Sequence, residues 1–115
     1  MDERLSKALE FSNYMITLNN QKRVINEQYQ QDLIFYYNGG QFTLTREFIN
    51  FCHTLCSLEH TDAILIDDNS IPIQITDLTK FTKNTTNQYF EATAKYYAEY
   101  TILKTTRSVE GIVKV

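Results

Sequence analysis

This chain has few of the residues that usually interrupt regular structure. Its 115 residues include one proline and three glycines, and it has no tryptophan. Proline and glycine are the residues that most often end helices and strands. The sequence therefore has little material for loops, and we expect long, regular elements.

Long apolar runs are also missing. No stretch approaches the roughly 18 apolar residues that a membrane-spanning helix needs, and the first residues, MDERLSKALEF, lack the pattern of a secretory signal. The two cysteines, Cys52 and Cys56, lie four residues apart in a helical pattern that does not suit a disulfide. We therefore expect a cytoplasmic protein with free thiols and no membrane partner.

The composition favours a folded protein without a strong field for nucleic acid. The formal net charge is −3, from 11 basic and 14 acidic residues, so general attraction to phosphates is not expected. Hydrophobic residues make up 43% of the chain, with eight tyrosines and seven phenylalanines. This content is enough for a core, and the length predicts a single domain over residues 1–115.

The longest periodic stretch runs over residues 76–107. Its inward residues recur three or four positions apart, as on one face of a helix: Leu78, Phe81, Thr85, Tyr89, Ala92, Tyr96, Tyr100 and Leu103. Thr76 or Asp77 is expected to cap its first turn. Such a helix is about 45 Å long, whereas a compact chain of this size is about 35 Å across. Another element or another chain must therefore cover part of it.

A second long helix is predicted over residues 2–37. Its stripe again alternates spacings of three and four: Ala8, Phe11, Met15, Leu18, Lys22, Ile25 and Tyr29. We interpret this helix as the antiparallel partner of the C-terminal helix. The alternative is an intermolecular coiled coil, which the charged Lys22 weakens.

The middle of the chain predicts a short helix and a small sheet. Asn38-Gly39 favours a cap that ends the first helix, although a type I′ hairpin turn between LIFYY and QFTL is the alternative. A strand at 41–44 is followed by a helix over 46–59 that Thr45 caps. The inner residues expected for that helix are Phe48, Phe51, Cys52 and Leu55.

Two further strands, at 63–66 and 71–75, flank the turn Asp67-Asp68-Asn69-Ser70. If the strand at 41–44 joins them, the sheet has three antiparallel strands. The fold class predicted is α+β in the order α-β-α-β-β-α, with two long antiparallel helices, a short helix and a small antiparallel sheet.

No motif predicts a catalytic, metal or cofactor site. Cys52 and His60 would stand about 12 Å apart on one straight helix, too far to share a zinc ion, and the chain lacks a second pair of soft ligands. Nothing in the sequence pairs a cysteine with a base, and the acidic turn lacks the glycine and glutamate of an EF-hand. We therefore expect neither an enzyme nor a cofactor.

The second face of the C-terminal helix is the candidate protein interface. Tyrosine and small residues along it favour close approach of another chain: Phe90, Ala94, Tyr97 and Thr101. The alternative is that this face packs between the first helix and the sheet.

The same helix carries basic residues among its tyrosines. This is a pattern of single-strand binders, here at Lys80, Lys83, Lys95, Lys104 and Arg107. Glu91 and Glu99 dilute it. A nucleic-acid-associated accessory protein is therefore the alternative function.

Three segments together resemble small uncharacterised proteins of large contractile-tailed phages: LIFYYNGGQFTLTREFINF, AILIDDNSIPIQI, and QYFEATAKYYAEY with TRSVEGIV. The resemblance implies a product made in the host cytoplasm, without site residues of its own. We predict a non-enzymatic protein-interaction module, such as an assembly factor, virion component or regulator. Its partner is expected to be a second copy of itself or a phage or host protein.

Overall fold

The computed structural model describes residues 2–114, with side chains for residues 2–105. In chain order the elements are α1 (Asp2–Asp32), β1 (Ile34–Tyr37), β2 (Gly40–Thr43), α2 (Arg46–Ser57), β3 (Ala63–Ile66), β4 (Pro72–Ile75) and α3 (Leu78–Lys114). The α+β class is confirmed. The order is α-β-β-α-β-β-α, however, because one more strand forms than we predicted.

The extra strand comes from the segment that we assigned to the end of the first helix. α1 ends at Asp32, and β1 pairs with β2 around Asn38 and Gly39. Both turn residues have positive φ, 50° and 82°, as a type I′ hairpin requires. The helix-cap interpretation of Asn38-Gly39 is therefore wrong, and the hairpin alternative is right.

Contacts from α3 help to explain why α1 stops where it does. The last carbonyls of a helix lack partners within it. The side-chain amide of Gln88 donates to the carbonyl of Asp32 at 3.0 Å and to that of Ile34 at 2.8 Å. Tyr36 is 71% exposed, whereas Phe35 and Tyr37 pack against the core. This alternation is that of a strand.

The three predicted strands and the short helix form close to their predicted bounds. Phe48 N donates to the Thr45 hydroxyl at 3.1 Å, so the cap of α2 is confirmed. Phe51, predicted as inner, is exposed, and Ile49 is buried in its place. The three-stranded sheet is wrong, because β2 pairs with β1 and β3 pairs with β4 in two separate antiparallel sheets.

The chain forms two compact units. The helical unit holds residues up to Gln28 and from Lys95 onward, and the α/β unit holds Tyr29–Ala94. In the helical unit, Asn26 donates to the Tyr96 hydroxyl at 3.0 Å, and the Lys22 ammonium lies 6.0 Å from the centre of the Tyr100 ring. A step of four residues back along α1 matches four residues forward along α3, so the predicted antiparallel packing is confirmed.

Phe81 of α3 is the centre of the α/β unit. Its ring meets four other aromatic rings edge-on, at centroid distances of 5.2 to 6.1 Å, from Phe35, Tyr37, Phe42 and Phe48. Aromatic pairs of this geometry contribute about 0.5–1.5 kcal/mol each beyond their burial. These rings come from β1, β2 and α2, so one side chain of α3 links three other elements.

The turn after β3 forms hydrogen bonds with the backbone groups of β2 on the edge that does not pair with β1. Gln41 N donates to the Asp67 carboxylate at 3.1 Å, and Asp68 N donates to the Gln41 carbonyl at 2.8 Å. Thr43 donates to the Asp68 carboxylate through its N–H at 3.2 Å and its hydroxyl at 2.6 Å. The turn residues therefore take the place that a neighbouring strand would have.

Asp67 gives the fold a dependence on acid pH. Burial raises the pKa of its carboxyl, but N–H donors of Ile71, Gln41 and Asn69 outweigh that effect and hold the pKa below its ordinary value of 3.8. A carboxyl with a lowered folded pKa stabilises the fold fully above its unfolded pKa, and this stabilisation is lost as pH falls through the folded value.

We therefore expect Asp67→Asn to lower the free energy of unfolding at pH 7, and to do so less as pH falls below about 4. Urea unfolding of both proteins from pH 7 to pH 3 measures this difference. Asp62→Asn, at an exposed position, controls for the loss of one negative charge. A wild-type advantage over Asp67→Asn that stays constant across this range would contradict the assignment.

Gly40 allows the two hairpins to come close. A Cβ at this buried glycine would lie 2.6 Å from Ile73 Cγ1 and 2.9 Å from Ile73 Cδ1. Gly40 begins β2 and Ile73 lies in β4. The absence of a side chain at this position therefore sets the spacing between the two sheets.

Gly40→Ala should lower the free energy of unfolding by about 1–3 kcal/mol through overpacking. Ile73→Ala alone should cost about 2–5 kcal/mol, and the double variant should cost less than the two together, because the clash disappears. Chemical denaturation of the four proteins in this cycle is the measurement. Strict additivity would show that the two positions do not touch.

Candidate functional site

The cysteines of α2 are packed as core side chains. Cys52 is fully buried, and burial, with a smaller contribution from the nearby Cys56 thiol, raises its pKa to about 11. The Cys56 sulfur lies 3.4 Å from the Thr82 hydroxyl. A thiol with so high a pKa stays protonated at neutral pH, and the thiolate is the reactive form. Cys52 is therefore not an activated nucleophile.

The histidine next to Cys52 points to a different partner. The Nε2 atom of His53 lies 2.9 Å from the Thr86 hydroxyl of α3. Across the described residues, no three His, Cys, Asp or Glu side chains are grouped so that they could hold a metal ion.

We expect purified protein to contain no stoichiometric zinc, and Cys52→Ser with Cys56→Ser to leave its metal content unchanged. Elemental analysis of both proteins after dialysis without chelator is the measurement. One zinc per chain in the wild type would overturn this expectation.

The concave sites described in the two units are small or wide open. In the helical unit a cavity of about 70 Å³ lies among Leu18, Lys22, Tyr100, Leu103 and Lys104. In the α/β unit an open depression of about 230 Å³ lies among Tyr37, Thr76, Asp77, Lys80, Phe81 and Asn84. A larger and more open depression, of about 510 Å³, lies at the start of α1 among Asp2, Glu3, Ser6, Lys7 and Glu10. Sites for small molecules and cofactors are usually enclosed, mostly apolar cavities of about 300–1,000 Å³, and none of these three has both that size and that lining.

The four predicted interface residues lie at the surface of their units. In the α/β unit, Phe90 is 72% exposed and Ala94 is exposed. In the helical unit, Tyr97 is 72% exposed and Thr101 is exposed. Their side chains are therefore available to another protein, and their role as an interface stays a prediction.

Tyr96 and Tyr97 are neighbours with different surroundings. Tyr96 is half-buried, its hydroxyl accepts a hydrogen bond from Asn26, and its ring lies 6.5 Å edge-on from that of Tyr100. Tyr97 points away from these contacts and leaves most of its ring in water. One tyrosine therefore contributes to the helix pair, and the next presents a free aromatic surface.

Among the described side chains of the helical unit, more large apolar ones are exposed than buried. Leu18 is the only buried side chain among residues 2–28 and 95–105. Eight large apolar side chains of these two segments are exposed: Leu5, Leu9, Phe11, Ile16, Val24, Tyr97, Tyr100 and Ile102. They lie on several sides of the two helices, since Leu9 and Phe11, for example, are about 160° apart on α1. Those that line one face together are the candidates for protein–protein contact.

Sequence reasoning missed the part of this surface that belongs to α1. The stripe predicted for the first helix from Ala8 to Tyr29 did not include Leu5, Leu9 or Ile16. All three are exposed. Their spacings of four and seven residues are a helical period of their own, and that second period was the signal available in the sequence.

The basic residues of α3 are exposed where they are described. Lys80 and Lys83 belong to the α/β unit, and Lys95 and Lys104 belong to the helical unit. The side chain of Arg107 lies outside the described residues. Exposure leaves these lysines solvated, which is also the ordinary state of surface lysines.

None of the described helices is long and apolar enough to cross a membrane. Comparisons with protein-family models, with curated proteins and with solved structures found no match to this chain. The proposal for its function therefore depends on the geometry described above.

Proposed function

We propose that this protein is a non-enzymatic protein-interaction module, and that its helical unit carries the binding surface. The observation that supports this is the burial of the described side chains in that unit. One of them is buried, and eight large apolar ones are exposed. A pair of helices with so little buried surface gains stability when another protein covers it.

Tyr97 is the proposed anchor of this surface. Tyrosine is enriched at the centre of protein interfaces, because its ring offers apolar area and its hydroxyl offers a hydrogen bond. Thr101 follows one turn later on the same side of α3 and is also exposed. Phe90 and Ala94 offer a separate exposed pair in the α/β unit.

The resemblance to proteins of contractile-tailed phages supports a role in assembly, in the virion or in regulation. In each of these roles the activity is binding, and the partner is a second copy, a phage protein or a host protein. None of them requires a catalytic residue, which agrees with the packing of Cys52 and His53.

Tyr97→Ala should weaken association by about thirtyfold or more, as the loss of an interface anchor does, and leave the melting temperature near that of the wild type. Tyr96→Ala is the matched control on the adjacent position, and it should lower the melting temperature because it removes a half-buried ring. Calorimetry gives the melting temperatures. Sedimentation and quantitative affinity capture from cells give the association.

Equal destabilisation by the two substitutions, with association unchanged, would end the interface assignment. Binding to single-stranded DNA that weakens steeply with added salt would instead favour the nucleic-acid-associated function.

A further inference from the structure

Helix α1 carries two apolar stripes within the helical unit. The inner stripe faces α3, where Leu18 is buried and Lys22 and Ile25 are half-buried. The outer stripe consists of Leu5, Leu9 and Ile16, which are 59%, 56% and 56% exposed. At about 100° per residue, these three lie within about 40° of one another and roughly opposite Leu18.

The outer stripe is flanked by neutral groups between positions 6 and 20. The residues beside it there carry hydroxyl, methyl or amide groups: Ser6, Ala8, Ser12, Asn13, Asn19 and Asn20. The charged residues on the same side of the helix, Asp2 and Arg23, lie beyond the two ends of the stripe. Interface centres are depleted of charged residues in the same way. Since the chain has a net charge of −3, two copies repel each other least where they meet through an uncharged face.

The pattern of the stripe is also symmetric. Positions 5, 9, 12 and 16 map onto themselves when the helix direction is reversed about a point between residues 10 and 11. An antiparallel copy of α1 would therefore place Leu5 against the partner's Ile16 and Leu9 against the partner's Ser12. The small Ser12 leaves room for the leucine, and a twofold axis makes both contacts twice.

Resting on the proposed function, we propose that a second copy of this chain is a partner, and that two α1 helices pack antiparallel through Leu5, Leu9, Ser12 and Ile16. Together with α3 of each copy, the contact completes a four-helix arrangement. The stripe extends over about 17 Å of helix. An interface of this size lies at the small end of specific complexes, so the dimer exchanges readily and has a dissociation constant in roughly the micromolar range.

The first test is the dimer dissociation constant of the full chain, measured by sedimentation equilibrium. Leu9→Gln with Ile16→Gln should raise it about tenfold or more and leave the far-ultraviolet circular dichroism unchanged. Ile64→Gln is the control, because Ile64 is similarly exposed, at 60%, but belongs to the α/β unit. It should leave the dissociation constant unchanged.

A second pair of variants tests the antiparallel register. One carries Leu9→Lys and Ser12→Lys, and the other carries Leu9→Glu and Ser12→Glu. Each alone should be monomeric, since like charges meet across the axis, and an equal mixture should form a heterodimer. A mixture that stays monomeric, although the wild type dimerises, would overturn the proposed pairing.

Other results would also overturn the proposal. They are a wild-type monomer well above micromolar concentration, or a dimer that the double glutamine variant leaves intact. The proposal would also be overturned if the wild type is a monomer and the double glutamine variant is destabilised as strongly as by a core substitution. The face would then be covered by another segment of the same chain. A monomer whose captured protein partner is lost with Tyr97→Ala would end the self-association proposal and leave the proposed function standing.

Discussion

The aromatic contacts of Phe81 are the interaction on which the α/β unit depends. Four rings from three elements meet this one side chain, which is itself buried. Short two-stranded sheets are barely stable in water on their own. Their stability here comes from packing against a helix that is anchored by a capping carboxylate, Asp77, whose oxygen accepts from Lys80 N at 3.1 Å.

Polar groups determine how the two small sheets lie next to each other without pairing into one sheet. Asp67 and Asp68 accept from the backbone of β2, so that its outer edge is occupied although it pairs with no third strand. Gly40 leaves room for Ile73 at the same junction. The hydrogen bonds to the edge of β2 and the missing side chain at Gly40 therefore go with two separate sheets. Strand patterns alone would favour one continuous three-stranded sheet.

The two units differ in how much of their apolar surface is covered. The α/β unit buries its aromatic and aliphatic side chains in two adjoining clusters, whereas the helical unit has one buried leucine among its described side chains. Two helices in contact hide only one stripe each, and α1 carries two. The second stripe of α1 is exposed among the described residues, and this exposure is the observation that supports the proposed binding activity.

Local physical chemistry allowed the sequence to determine the two long helices, apart from the end of the first, and the Thr45 and Asp77 caps and the turn at Asp67–Ser70. The inner stripes of the helices were determined in part, because Ala8, Phe11 and Tyr100 were predicted as inner and are exposed. These features depend on residues within a few positions of one another. The interface candidates on α3 were chosen from their spacing; they are exposed, and their role as an interface stays a prediction. The outer stripe of α1 was overlooked beside the inner one. Tertiary structure alone decided between a helix cap and a hairpin at Asn38-Gly39, because the segment LIFYY fits both a helical and a strand period. The strand forms where Phe35 and Tyr37 pack against Phe81 and where Gln88 binds the end of α1. Tertiary structure also decided the separation of the sheets, since the carboxylates that occupy the edge of β2 lie about 25 residues further along the chain.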